Sequence, residues 1–121
     1  MRKTAFMFLT LVQLTLFTLL PVAYSQQLDI KLVSLTSPVR HGSSATIGVS
    51  TVASANCQIT VRYMSGPSKA QGLFPKSADS QGKASWTWRV GSNTTPGSWP
   101  ITVTCSSGGQ SGTLKTSFVV R

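Results

Sequence analysis

Four runs of this chain alternate apolar and polar residues with a period of two, and this alternation leaves few folds open to it. The run 57–63 carries Cys, Ile, Val and Tyr on its apolar phase, and the run 84–90 carries Ala, Trp, Trp and Val. The runs 45–51 and 99–105 repeat the pattern. Because successive side chains of a strand point to opposite faces, each run predicts a strand with one buried face. The sequence therefore predicts an all-β fold.

Turn-forming residues separate these runs. Asp79 and Gly82 suit the first and fourth positions of a type I turn, and Pro96-Gly97 marks another turn. Apolar runs at 28–35 and 114–120 bring the number of strands to six, while 66–80 holds either a short seventh strand or only a loop. Strands of this length and spacing predict a sandwich of two antiparallel sheets with about seven strands.

The apolar phase also predicts which side chains fill the core. The tryptophans at 86 and 88 share their phase with Val90, which favours burial over a platform for stacking sugars. Phe74, in the segment between the predicted strands, is the candidate exposed aromatic residue. The predicted core residues are Ile59, Val61, Trp86, Trp88, Ile101 and Val103.

Two cysteines, Cys57 and Cys105, both fall on the inward phase. If they lie opposite each other in an antiparallel pair, every other inward pair of the two strands is apolar or aromatic, down to Tyr63 opposite Trp99. This register predicts a disulfide between neighbouring strands, and a bridge between separate sheets is the alternative. The bond would close a loop of about 48 residues, which contributes about 4 kcal/mol in the chain-entropy model.

The first 25 residues have the composition of a secretory signal peptide. Two basic residues precede a mostly apolar run, Ala5–Leu20, and Ala23-Tyr24-Ser25 supplies small residues at a cleavage site. We expect cleavage after Ser25, which leaves one domain at 26–121. A retained membrane anchor is the alternative, although the apolar run is shorter than the roughly 20 residues that a span needs. Export would place the cysteines where disulfides form.

The charge balance argues against most hydrolytic enzymes. The chain has eleven Lys and Arg but only two acids, Asp29 and Asp79, and its one histidine is His41. No serine lies in a nucleophile motif, and two separate aspartates do not suit a metal site. We therefore expect no catalytic residues, no metal and no cofactor.

The excess of basic residues offers a second function. Removing two of the eleven with the signal leaves nine, and subtracting two acids gives a net charge of +7. Such a surface attracts anionic polymers at low salt, and salt screens the attraction. Three lysines in or near one long loop are the candidate anion-binding residues: Lys69, Lys76 and Lys83. No nucleic-acid-binding motif accompanies them, so we expect no specific binding to nucleic acid.

Six segments, taken together, form a wider pattern. They read NCQITV (56–61), SGPS (65–68), LFPK (73–76), ASWTW (84–88), VGSNTT (90–95) and PGSWPITVTC (96–105). Together they resemble bacterial secreted immunoglobulin-like domains, over roughly residues 28–121. The resemblance implies an immunoglobulin-like β-sandwich in a secreted or cell-envelope setting, without catalytic residues.

From these observations we expect a non-enzymatic extracellular or cell-surface module with a structural or adhesive role. Its partner would be an extracellular protein or a polysaccharide, and no membrane span would remain once the signal is removed. The alternative is a binder of anionic polymers such as acidic glycans or nucleic acid. A small hydrolase or inhibitor is a third reading, and it would need Ser, His and Asp side chains to converge in one site.

Overall fold

The computed structural model describes residues 27–121, and these fold into two antiparallel β-sheets around one core. The predicted signal peptide, residues 1–25, lies outside the described residues. Within 27–121, no helix has the length and apolar character to cross a membrane.

Eight strands follow one another along the described chain. They are β1 (Lys31–Leu35), β2 (Ser44–Ser50), β3 (Asn56–Tyr63), β4 (Gly66–Pro67), β5 (Lys76–Ser77), β6 (Lys83–Arg89), β7 (Gly97–Ser107) and β8 (Gln110–Val120). One sheet has the order β1-β2-β6, and the other has the order β4-β3-β7-β8 with β5 also paired to β3. The predicted class, an all-β sandwich of antiparallel strands, is confirmed. The segment 66–80 supplies two strands of two residues each, where the sequence predicted one strand or a loop.

The core lies between the two sheets and is built from their inward-facing side chains. Trp88 of the smaller sheet meets Phe118 of the larger one edge to face, with 5.6 Å between ring centroids. Strict alternation of buried and exposed residues along β3 and β6 produces this layer. The six predicted core residues are all buried: Ile59, Val61, Trp86, Trp88, Ile101 and Val103.

Cys57 lies opposite Cys105 on the neighbouring strands β3 and β7, and their sulfurs are bonded. The same register places Ile59 opposite Val103. The predicted disulfide is therefore confirmed, and it joins two strands of one sheet rather than two separate sheets.

The first strand is shorter than the predicted run 28–35, because the chain changes sheets here. Leu28 donates its main-chain N–H to the carbonyl of Ser111 in β8, at 3.1 Å, before β1 begins to pair with β2. After β1 the chain returns to β8, where Val39 N donates to Val119 O at 2.8 Å. This segment therefore ties both sheets together along one side of the sandwich.

Candidate functional site

A cleft of about 520 Å³ opens at one end of the sandwich. Its walls are the turn that follows β3 and the loop that joins β6 to β7. Eight residues line it: Tyr63, Met64, Ser65, Gly91, Ser92, Asn93, Thr94 and Thr95. None of them is charged. Five besides Tyr63 offer hydroxyl or amide groups, and Tyr63 and Met64 supply apolar surface.

Tyr63 anchors the first wall of the cleft to the core. Its ring is half-buried and lies edge-on to Trp99, with centroids 6.2 Å apart. Its hydroxyl oxygen accepts a hydrogen bond from Trp88 Nε1 at 3.2 Å. Burial raises the pKa of Tyr63, although the hydrogen bond from Trp88 opposes this shift. The phenol is therefore neutral at physiological pH.

The second wall is a turn held at both of its ends. Thr94 donates its main-chain N–H to the carbonyl of Gly91 at 3.1 Å. At the far end, Trp99 Nε1 donates to the carbonyl of Thr95 at 2.8 Å. One bond therefore closes the turn on itself, and Trp99, which packs against the core, holds its far end, as a preformed binding site requires.

Met64 is the most exposed large apolar residue of the described chain, with 75% of its surface accessible. It stands at the rim of the cleft, directly after Tyr63 in the turn. An exposed thioether beside hydroxyl groups gives the cleft both apolar and hydrogen-bonding surface, the mixture found in small-molecule sites.

Local sequence patterns do not reveal this cleft, because its two walls lie about thirty residues apart in the chain. The antiparallel register of β3 and β7 is the signal that could have found it. A register that directs Tyr63 toward Trp99 also places the turn after Tyr63 beside the loop that precedes Trp99, and the ring contact between these two residues agrees with it.

The candidate anion-binding lysines lie in different surroundings. Lys69 and Lys83 are exposed. Lys76 is partly buried: its ammonium donates to the carbonyl of Ser85 at 2.7 Å and stands 5.4 Å from the ring centroid of Phe74. Lys76 thus already has a structural partner, whereas Lys69 and Lys83 are exposed and Lys83 lies near enough to Asp79 for their charges to interact.

The candidate exposed aromatic residue, Phe74, has 56% of its surface accessible. Its carbonyl accepts a hydrogen bond from Trp86 Nε1 at 2.8 Å. Phe74 therefore combines an exposed ring with a backbone that the core holds in place.

The structure places His41 and the two aspartates at opposite ends of the sandwich. His41 is exposed and lies just before β2, where its main-chain N–H donates to the carbonyl of Arg121. Beyond the other end of β2, Thr51 Oγ1 donates to the carbonyl of Asp29, and Ser54 N to that of Asp79. The seven residues of β2 span roughly 23 Å. His41 and these carboxylates therefore do not form one site.

The carboxylate of Asp79 is hydrogen-bonded within its own turn. One carboxylate oxygen accepts the main-chain N–H groups of Lys83 at 2.9 Å and Gln81 at 2.8 Å. These hydrogen bonds hold the pKa of Asp79 below its usual value, and the positive charge of Lys83 adds to the effect. Within residues 27–121, no three His, Cys, Asp or Glu side chains lie close enough together to hold a metal ion.

Comparison with known proteins finds no family model and no curated protein that matches the chain. A solved structure that resembles it is chitinase ChiW from Paenibacillus sp. str. FPU-7, a bacterial cell-surface-expressed multi-modular enzyme. The two share 17% sequence identity with a TM-score of 0.54. The match covers 82% of this chain but only 9% of the chitinase chain. The likeness therefore extends to the fold of a small part of that enzyme, and an all-β domain of this kind fits such a part.

Proposed function

We propose that this chain is a non-enzymatic immunoglobulin-like module that acts outside the cell or in the cell envelope, in a structural or adhesive role. The observation that carries the proposal is the fold likeness to a small part of a cell-surface multi-modular enzyme. A part of about one-tenth of a large enzyme is the size of an accessory module. The cleft and the loops around it provide a surface on which such a module contacts a partner.

The division of the strands between the sheets supports the immunoglobulin-like assignment. Without the two-residue strands β4 and β5, the first, second and fourth strands form one sheet, and the third, fifth and sixth form the other. Immunoglobulin domains divide strands A, B and E from C, F and G in the same way. The disulfide differs, since antibody domains join strands B and F across the sheets and this chain joins the equivalents of C and F.

The placement of the ionisable residues supports a non-catalytic role. The length of β2 separates His41 from both aspartates, and the carboxylate of Asp79 is occupied by main-chain N–H groups. General acid–base or nucleophilic catalysis needs partners within hydrogen-bond reach of one another. The Cys57–Cys105 disulfide and the predicted signal peptide both support a location in an oxidising compartment.

Binding of anionic polymers is the second candidate function. Residues 27–121 contain nine Lys and Arg but only two acids, which gives a net charge of +7. Lys69 and Lys83 are exposed on the segment that leads from β4 into β6. Long-range attraction of acidic glycans or nucleic acid follows from such a charge without any specific pocket.

Fractionation of a bacterial host that expresses residues 1–121 tests the first proposal. The chain should appear in the medium or the envelope fraction, cleaved after Ser25, with Cys57 and Cys105 linked in non-reducing peptide mapping. A chain confined to the cytosol with two free thiols would overturn the extracellular role. A hydrolase activity that survives repurification and is lost in His41→Ala or Asp79→Asn would overturn the non-enzymatic role.

A further inference from the structure

We infer that the cleft between the β3–β4 turn and the β6–β7 loop binds a short stretch of neutral saccharide. The inference rests on the interaction role proposed above and gives that role a site and a ligand class. The cleft has a volume of about 520 Å³, which lies within the range of roughly 300–1,000 Å³ that small-molecule sites occupy. The ligand class follows from the charge, the hydrogen-bonding groups and the rigidity of the walls.

The charge of the cleft walls restricts the class of ligand. All eight lining residues are uncharged, although the described chain carries a net charge of +7. Recognition of an anion usually recruits Arg or Lys, and this chain has nine of them that its cleft does not use. A cationic ligand would need carboxylates, but Asp29 and Asp79 both lie at the other end of the sandwich. The cleft is therefore complementary to a neutral polar molecule.

The hydrogen-bonding groups of the cleft suit a ligand that carries many hydroxyl groups. Ser65, Ser92, Thr94 and Thr95 have hydroxyl groups that both donate and accept, and the amide of Asn93 does the same through separate atoms. A sugar presents hydroxyl groups with the same dual character around its ring. Neutral saccharides are the common class of polar molecule in which many such groups are spaced closely enough to use all of these partners.

The cleft also has an apolar wall. A pyranose ring has C–H faces as well as hydroxyl edges, and it needs an apolar surface on which to lie. Tyr63 supplies a half-buried aromatic ring and Met64 supplies an exposed, adaptable thioether beside the hydroxyl groups. A site for a purely polar ion would have no use for this surface.

The walls of the cleft are held in place by contacts with tryptophan side chains. Tyr63 is fixed by Trp88 Nε1 and by contact with Trp99, while the carbonyl of Thr95 is fixed by Trp99 Nε1. Trp99 therefore contacts a residue of each wall. Because the walls are ordered before the ligand arrives, binding loses little of its free energy to ordering them.

Titration of the folded domain with neutral tetrasaccharides tests the inference. Cellotetraose and tetra-N-acetylchitotetraose are added to ¹⁵N-labelled residues 26–121, and amide shifts are followed by NMR. We expect shifts confined to residues 63–65 and 91–95 with at least one of the two sugars. No shifts with either sugar, or shifts centred elsewhere, would overturn the inference.

Two variants keep the test specific. Met64→Ala/Asn93→Ala removes apolar and amide surface at exposed positions, and we expect binding at least about fivefold weaker. Gln58→Ala, which changes an exposed amide on the outer face of β3, is the matched control and should bind as the unaltered domain does. Unchanged affinity in the double variant would overturn the site.

These experiments distinguish a failure of the saccharide site from a failure of the proposed extracellular role. If neither sugar binds but the exported chain is still found at the cell exterior with its disulfide formed, the saccharide site is wrong and the extracellular module stands. If the chain stays in the cytosol, the extracellular role fails whatever the sugars do. Binding of a heparin fragment with the same strength in Met64→Ala/Asn93→Ala as in the unaltered domain would identify a separate, charge-driven surface.

Discussion

The ammonium of Lys76 donates a 2.7 Å hydrogen bond to the main-chain carbonyl of Ser85, on the edge of β6 that faces away from β2. The segment that contains Lys76 runs antiparallel to this edge. Gly72 lies against the carbonyl of Thr87 at one end, and Asp79 N donates to the carbonyl of Lys83 at 2.9 Å at the other. An edge strand with free carbonyls invites pairing with other chains, and this segment covers it.

Replacing Lys76 by Met tests the contribution of this contact to stability. The change keeps the apolar stem and removes the hydrogen bond to Ser85 and the contact with Phe74. We expect the free energy of unfolding in urea to fall by about 1 kcal/mol. Lys69→Met, at an exposed position, is the control and should change it by less than about 0.5 kcal/mol. Equal losses in the two variants would contradict a stabilising role for this ammonium.

Gly72 is a second point at which the covering segment meets β6. Its φ is +95°, and a Cβ atom there would overlap the carbonyl oxygen of Thr87. We expect Gly72→Ala to lower the free energy of unfolding by about 2–4 kcal/mol, since backbone strain and a steric clash act together. Gly109→Ala is the matched control: φ is +82° and no atom lies within 4 Å of the added Cβ, so strain alone should cost about 1 kcal/mol. Similar losses in both variants would mean that the segment moves away from β6 at little cost.

The sequence predicted how β3 pairs with β7, and it left a bridge between separate sheets as the alternative. Cys57, Ile59 and Val61 share one phase, and a shift of one residue would turn all of them to the solvent. Burial therefore excludes a shift of one residue, and the pairing of Cys57 with Cys105 selects the register from those that remain. Patterns of this kind are readable because a strand repeats the same geometry at every second residue.

The covering segment and the cleft depend on contacts that no local pattern encodes. The segment 66–80 lacks periodicity, and its position follows from single contacts such as those of Gly72 and Lys76 with β6. The walls of the cleft are turns whose residues resemble those of any exposed loop. Only the strand register, which directs Tyr63 toward Trp99, brings the two turns together.

Asp79 should make stability depend on acid pH. Hydrogen bonds from the N–H groups of Lys83 and Gln81 lower its pKa in the folded state, so the unfolded chain takes up a proton first as the pH falls. The stabilisation is complete above the unfolded pKa of about 3.9 and is lost as the pH falls through the lower, folded value. Urea unfolding between pH 2 and 6 should show this loss in the unaltered domain. Asp79→Asn removes the titrating group, so parallel pH profiles for the two proteins would contradict the assignment.

Binding of anionic polymers should depend on Lys69 and Lys83 more than on cations elsewhere, if the second candidate function is correct. Lys76 is left unaltered because its ammonium is bound to Ser85. In Lys69→Gln/Lys83→Gln, we expect weaker binding of a heparin fragment and a slope of log affinity against log salt reduced by about one to two. Lys31→Gln/Lys115→Gln removes two charges from exposed positions on β1 and β8 and is the matched control. Equal losses in the two double variants would indicate attraction by the whole charged surface, and affinity independent of salt would overturn the candidate function itself.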